Sequence, residues 1–205
     1  MSYPVTFEAD YVERRNRLTA FFRLILAIPV AIVLYVYAIV AVFAILIAWF
    51  AIVFTARYPQ GLYAFVAGFL RFVTRVTAYS ALLCDPYPAF GGAPDDSYPV
   101  RMEFAGPLEQ YSRAKTFFRF ILAIPLLILR YVMGLLLEIG AVGAWIVILF
   151  TGSMPRGLFD VMVLANSYTA RSDAYLLLLT ETYPPFQDEQ TRAAGTPGSP
   201  TAHTP

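Results

Sequence analysis

The chain has 205 residues, of which 59% are hydrophobic and 14% are charged, and its mean hydropathy is +0.61. Soluble proteins are about 45–50% apolar, so this composition lies far outside their range and is typical of an integral membrane protein. A net charge of +1 gives no basis for binding nucleic acid. Every basic residue except Lys115 is arginine, which indicates a GC-rich bacterial genome and therefore a bacterial cell membrane.

The N-terminal segment predicts a short strand and then a basic amphipathic helix. YPVTF at 3–7 alternates apolar and β-branched residues after a proline, as strands do. Residues 11–23 mix apolar and basic side chains, which fits either a helix that binds anionic lipid phosphates or a plain basic flank. Both interpretations place this end in the cytoplasm. The candidate headgroup contacts in this segment are Arg14, Arg15, Arg17 and Arg23.

An uncharged apolar run then extends from 24 to 54. As a helix it would be about 46 Å long, against a bilayer core of about 30 Å. Pro29 removes one helical hydrogen bond, so we expect the run to divide there and residues 30–54 to span the membrane.

A second helix is predicted over residues 62–83, after a break that contains proline and glycine. Arg71 and Arg75 lie on a stripe of small residues along this helix. Because small residues let another segment approach closely, we expect both arginines to face protein or lipid phosphate. The acids at a suitable depth to pair with them are Glu138 and Asp160.

The pattern returns in the second half of the chain, which indicates a tandem duplication. The predicted domains are a first membrane repeat at 1–94, a second at 95–186, and a disordered C-terminal tail at 187–205. The matching segments are FFRLILAIP at 21–29 with FFRFILAIP at 117–125, PQGL at 59–62 with PRGL at 155–158, and DPYPAF at 85–90 with ETYPPF at 181–186.

As a set, these motifs resemble domain-of-unknown-function family 4389, whose copies have an arginine-flanked LAIP helix, an FTGxYPxGLF segment, an arginine-bearing helix and an LTDxYPPF end. The resemblance covers residues 3–186 and implies a bacterial membrane protein. It implies no catalytic or binding residue. The first copy departs from the pattern at Thr55-Ala56, where the family tends to have Thr-Gly, and the second departs at residues 152–154.

Ionisable residues interrupt the long helix of the second repeat and the helix after it. They are Arg130, Glu138, Asp160, Arg171 and Asp173, and the first four are the candidate polar contacts. Charges at membrane depth are costly, and three roles are open: pairing with another helix, a polar pathway or lipid-phosphate site, and a contact between subunits. The basic flank ahead of them supplies further candidate headgroup contacts, Arg113, Lys115 and Arg119.

The positive-inside rule favours two crossings per repeat, because Arg57 and Arg156 are then the basic loop residues left on the outer side. Four spans give both repeats the same orientation and put both termini in the cytoplasm. The alternative, in which residues 62–83 and 158–179 lie at the interface, stays open because their arginines are costly to insert.

In the four-span arrangement the YPV segments at 3–5 and 98–100 lie on one face. We expect these strands to pair, because pairing satisfies their backbone groups. The sequence thus predicts an all-α integral membrane protein: a tandem duplication of a two-helix transmembrane unit with an interfacial basic helix, plus short cytoplasmic β-strands.

Motifs for enzyme chemistry are missing from the sequence: there is no GxSxG, phosphate loop or HExxH, and the single histidine lies in the tail. We therefore expect a non-enzymatic multi-pass membrane protein without a cofactor, serving as a scaffold, accessory subunit or lipid-interacting module. The alternative is a small oligomeric transporter or channel. The expected partners are the bilayer, its anionic headgroups, and either a membrane protein or further copies of the chain.

Overall fold

The computed structural model describes residues 3–185 and repeats one order of elements, a strand followed by three helices. The first repeat contains β1 (Val5–Ala9), α1 (Arg17–Phe21), α2 (Arg23–Thr55) and α3 (Gln60–Ser80). The second contains β2 (Val100–Phe104), α4 (Arg113–Phe117), α5 (Arg119–Thr151) and α6 (Arg156–Leu176). The predicted tail at 187–205 lies outside the described residues.

The short helices α1 and α4 replace the longer basic helix that the sequence predicted. Asn16 caps α1, since its side chain accepts hydrogen bonds from the backbone N–H groups of Leu18 and Thr19. Ser112 caps α4 in the same way. The residues just before Asn16 are not helical, and Arg14 forms a β-bridge with Ser153 of the other repeat. The predicted helical bounds of 11–23 are therefore wrong.

Helix α2 runs without interruption for 33 residues and contains Pro29, and α5 has the same length and contains Pro125. The predicted division at Pro29 is wrong, because the loss of one hydrogen bond bends a helix without ending it when the neighbouring bonds hold. The true breaks lie at Phe22 and Phe118, immediately ahead of a buried arginine in each repeat.

The two strands form an antiparallel ribbon, which confirms the predicted pairing. Phe7 lies opposite Met102 at the centre of the register, and Glu8 lies opposite Arg101. The residues of β1 and β2 alternate between a buried face and a more open one, and the buried face packs on α3 and α6. The ribbon thus joins the two repeats.

The repeats run in opposite directions, so the expected shared orientation is wrong. The backbone N–H of Arg15 donates to Gly152 O at 3.0 Å, and that of Tyr111 donates to Ala56 O at 2.8 Å. The start of α2 therefore lies beside the end of α5, and the start of α5 lies beside the end of α2. The antiparallel ribbon has the same two-fold relation between the repeats.

The elements of the two repeats form three layers. Helix α2 packs along α3, α5 packs along α6, and α3 contacts α6. Helix α3 presents Arg71 and Thr74 to β2, whereas Phe72 and Val76 contact Val30 and other residues of α2. The ribbon, the α3–α6 pair and the two long helices thus follow one another, and the main core lies around α3 and α6.

Candidate membrane interface

Helices α2 and α5 expose apolar side chains along most of their length. Within residues 3–185, these two helices are long and apolar enough to cross a membrane. In the most apolar 18-residue stretches of α2 and α5, 17% and 22% of the residues are buried in the protein. The core helix of a soluble protein is instead mostly buried. Among the side chains exposed to about half or more are Leu24, Ile32, Phe43, Ile47, Phe54, Phe120, Ile128, Tyr131, Ile139 and Phe150.

The buried side of α2 is a narrow stripe made mostly of small residues. Ala44, Ala48 and Ile52 are buried in the core that includes Val66 and other residues of α3, and Ala41 is also buried. Small side chains allow the two helices to pack closely, and the larger side chains are left on the outer surface. The sequence of α2 therefore supplies one protein-facing stripe and a wide apolar surface.

Arg23 and Arg119 do not reach that outer surface. Arg23 is 2% exposed, its Nη2 donates to Asp85 Oδ1 at 2.7 Å, and its guanidinium lies 4.2 Å from the Tyr79 ring centroid. Arg119 is 4% exposed and lies 3.9 Å from the ring centroid of Tyr175. We call each set an arginine clasp, because it ties the start of a long helix to the end of the helix that follows it.

Arg15 is also buried, and its Nη2 donates to Leu83 O at 2.7 Å. The expectation that Arg15, Arg23 and Arg119 contact lipid headgroups is therefore corrected, since protein groups surround all three. The four remaining predicted headgroup contacts are exposed at the ends of the long helices. They are Arg14, Arg17, Arg113 and Lys115.

Arg71 and Arg75 face the ribbon, as the prediction of a protein-lined surface required. Arg71 Nε donates to Met102 O at 3.0 Å, and its guanidinium lies 5.0 Å from the Phe104 ring centroid. Arg75 is 4% exposed and lies 5.6 Å from the ring centroid of Tyr98. Backbone and aromatic groups, rather than the expected acids, receive these arginines.

Arg171, the counterpart of Arg75, is buried, and its Nη2 donates to Ser167 Oγ at 2.9 Å. The two acids expected near Arg71 lie elsewhere. Asp160 is exposed and pairs with Arg156 on its own helix at 3.4 Å. Glu138 lies in a cleft between α5 and the end of α3, beside Thr77 and Ser80.

Arg130 of α5 forms a bidentate pair with Asp173 of α6, in which Nη2 lies 3.2 Å from Oδ2 and Nε also bonds Oδ1. Of the roles left open for Arg130, this geometry shows pairing with another helix. The Arg130 side chain is 38% exposed and that of Asp173 is 16% exposed. The pair is thus accounted for within one repeat.

Sequence reasoning missed Tyr79, Tyr175 and Asp85, which are the other side chains of the clasps, and Glu181, which matches Asp85 in the second repeat. All four lie at positions where the repeats match, in the tyrosine before the final turn and the D/E-x-Y-P motif, so the repeat itself carried the signal. Glu181 Oε1 accepts a hydrogen bond from the backbone N–H of Ser112 at 2.6 Å. The motif therefore caps the short helix of its own repeat.

Among residues 3–185, no three His, Cys, Asp or Glu side chains form a group that could hold a metal ion. Cys84 is 1% exposed, and its Sγ lies 3.3 Å from the Tyr98 hydroxyl. Burial raises the pKa of the Cys84 thiol, which makes it a weak nucleophile near neutral pH.

The comparison with protein families agrees with the division of the chain into two repeats. The family model described as a domain of unknown function (DUF4389) matches residues 17–91 and again residues 113–187. Each match runs from the short helix through the D/E-x-Y-P motif, so it encloses one arginine clasp. No curated protein and no solved structure matches the chain.

Proposed function

The chain belongs to the DUF4389 family, and from the surface described above we propose that it is a non-enzymatic protein of the bacterial cell membrane that binds the bilayer. The observation that carries the proposal is the exposed apolar surface of α2 and α5. Monomeric soluble proteins rarely expose contiguous apolar patches of more than a few hundred Å², and two long helices with exposed sides exceed that area. The hydrocarbon core of a bilayer is the environment that suits such an apolar surface.

Anionic headgroups are the proposed polar ligands of the same surface. Basic side chains lie at both ends of the long helices, where an embedded apolar surface meets the headgroup layer. Each lysine or arginine near an anionic membrane surface contributes about 1 kcal/mol of binding free energy. A lipid-interacting module or a scaffold held at the cytoplasmic surface is the role that fits these features.

A transport pathway has less support. The charged pair within the second repeat, Arg130 with Asp173, is satisfied side chain to side chain. A polar pathway needs groups that can exchange partners with a cargo. Such a pair instead supports a structural role for the charges.

Membrane residence is tested by fractionating bacteria that express the full chain. We expect the protein to stay in the pellet after alkaline carbonate and high salt, and to be released by detergent. A carbonate-soluble protein would refute the proposal.

The headgroup contacts are tested by the lipids that co-purify in mild detergent. Arg113→Gln should lower the share of anionic lipid, whereas Arg101→Gln should not. Arg101 is the matched control, because it carries the same charge but lies on the ribbon with Glu8 and Asp10. Equal loss from both variants would remove the headgroup assignment.

A further inference from the structure

We infer that α2 and α5 lie along the plane of the membrane within one leaflet, and that the ribbon faces the cytoplasm. This orientation rests on the proposed membrane residence and adds to it the geometry of insertion. It differs from any crossing arrangement in one respect that can be measured: both ends of each long helix lie on the same side.

The first argument is the length of the helices. A helix of 33 residues is about 50 Å long, and a crossing that kept its whole length within a core of about 30 Å would require a tilt of about 50°. Membrane-spanning helices are tilted by about 0–40°. A helix is about 10 Å across, and half of the bilayer core is about 15 Å thick, so a helix that lies flat fits in one leaflet.

The second argument is the position of the ribbon. It crosses the middle of α3, where Arg71 bonds Met102, and α3 packs along α2. If α2 crossed the bilayer, the ribbon would lie at its centre. The side chains of Glu8 and Asp10 there are 61% and 53% exposed, and a charge at the centre of a bilayer costs about 2.5–3.5 kcal/mol on insertion scales. With the helices in the membrane plane, the layered fold keeps the ribbon in water.

The third argument is the distribution of basic side chains. One end of the molecule has Arg14 and Arg17, together with Arg156 from the other repeat, whose guanidinium lies 4.6 Å from the ring centroid of Tyr11. The opposite end has Arg113 and Lys115, together with Arg57, because the backbone at Tyr111 bonds Ala56. Antiparallel helices that crossed would place matching basic sets on both sides of the membrane, against the positive-inside rule. In-plane helices place both sets on the cytoplasmic side.

The test uses single cysteines in a Cys84→Ser background and a membrane-impermeant maleimide. Glu13, Gln60 and Glu109 are exposed and uninvolved in the basic sets. Each is changed to cysteine and labelled in intact spheroplasts and in inverted membrane vesicles. We expect all three to react in inverted vesicles and none to react in spheroplasts, with Phe43→Cys unreactive in both because it lies in hydrocarbon.

Each crossing arrangement gives a different pattern and would overturn the inference. Four spans would expose Gln60→Cys alone in spheroplasts. One antiparallel crossing per repeat would separate Glu13→Cys from Gln60→Cys and Glu109→Cys. Carbonate extraction of the same membranes separates the two failures: a pelleted protein with split labelling refutes the orientation, whereas a soluble protein refutes membrane residence itself. The Cys84→Ser protein without an added cysteine is the control for background labelling.

Discussion

In the first repeat the arginine clasp closes on a carboxylate, and in the second it closes on a carbonyl. Arg23 bonds Asp85, whereas the Nη2 of Arg119 donates to Thr180 O at 2.8 Å. The stacking of each arginine on a tyrosine is the same in both repeats. The buried guanidinium and its ring are therefore the fixed part of the clasp, and the acceptor is the part that varies.

A second difference is that a charged pair occurs in one repeat and not in the other. Arg130 and Asp173 occupy the positions of Leu34 and Thr77 in the first repeat, where neither residue is charged. Charges that differ between the copies as a matched set behave as one structural unit, since either one alone would be left without its partner. Exchanging residues between the copies is therefore a direct way to test what each difference contributes.

The largest effect is expected for Arg23→Leu. Asp85 would keep its charge and lose its close partner, and breaking a buried pair costs about 3–5 kcal/mol. We expect the lower end of that range, because the Asp85 side chain is 30% exposed. Arg119→Leu leaves an unpaired carbonyl, which costs about 1–3 kcal/mol. Thermal unfolding of both variants in one detergent measures the difference, and a greater loss for Arg119→Leu would contradict the comparison of the clasps.

A double-mutant cycle at Arg130 and Asp173 tests the paired charges. Arg130→Leu and Asp173→Thr each install the residue of the first repeat, and each alone leaves an unpaired charge. We expect both single variants to lose stability and the double variant to recover most of it, with a coupling of about 1–3 kcal/mol. Additive losses in chemical unfolding would mean that the two residues do not act as a pair.

Ala56→Gly should stabilise the protein. Ala56 ends α2 in the left-handed conformation, with φ of 57°, and the second repeat has Gly152 at this position with φ of 74°. A side chain in this conformation costs about 1 kcal/mol, which glycine avoids. We expect a gain of about 0.5–1 kcal/mol in the free energy of unfolding. Gly152→Ala is the reverse change and should lower it by more, because a Cβ added at Gly152 would also lie 2.9 Å from Arg17 Nε. A gain from both changes would exclude this explanation.

Local signals in the sequence predicted the elements better than their arrangement. Proline, glycine and capping residues mark the ends of the strands, of the turns after Thr55 and Thr151, and of the helices that follow these turns. Because the chain is a repeat, each of these signals occurs twice. Pro29 misled because a helix tolerates one missing hydrogen bond. The N-cap signal at Asn16 was present and marks the true start of α1.

The opposite orientation of the repeats had no local signal. Orientation is fixed by contacts between distant residues, such as the bond from Tyr111 to Ala56 and the ribbon that joins β1 to β2. Residue type alone also could not show which basic residues of the candidate interface are buried and which are exposed. Arg14 and Arg15 are neighbours in the chain, yet Arg15 is buried against Leu83 and Arg14 is exposed.

The smallest effect is expected for Asp160→Ala, which installs the residue that the first repeat has at position 64. Asp160 and Arg156 form an exposed pair one helical turn apart, and such pairs contribute about 0.3–0.5 kcal/mol. We expect a loss of that size in low salt and none near 1 M salt, where the screening length is about 3 Å. Installing the pair in the first repeat with Gln60→Arg and Ala64→Asp should give a gain of similar size. A loss above about 1 kcal/mol that persists in high salt would contradict the exposed pair, since salt does not screen a buried contact in this way, and would place Asp160 against a second copy of the chain.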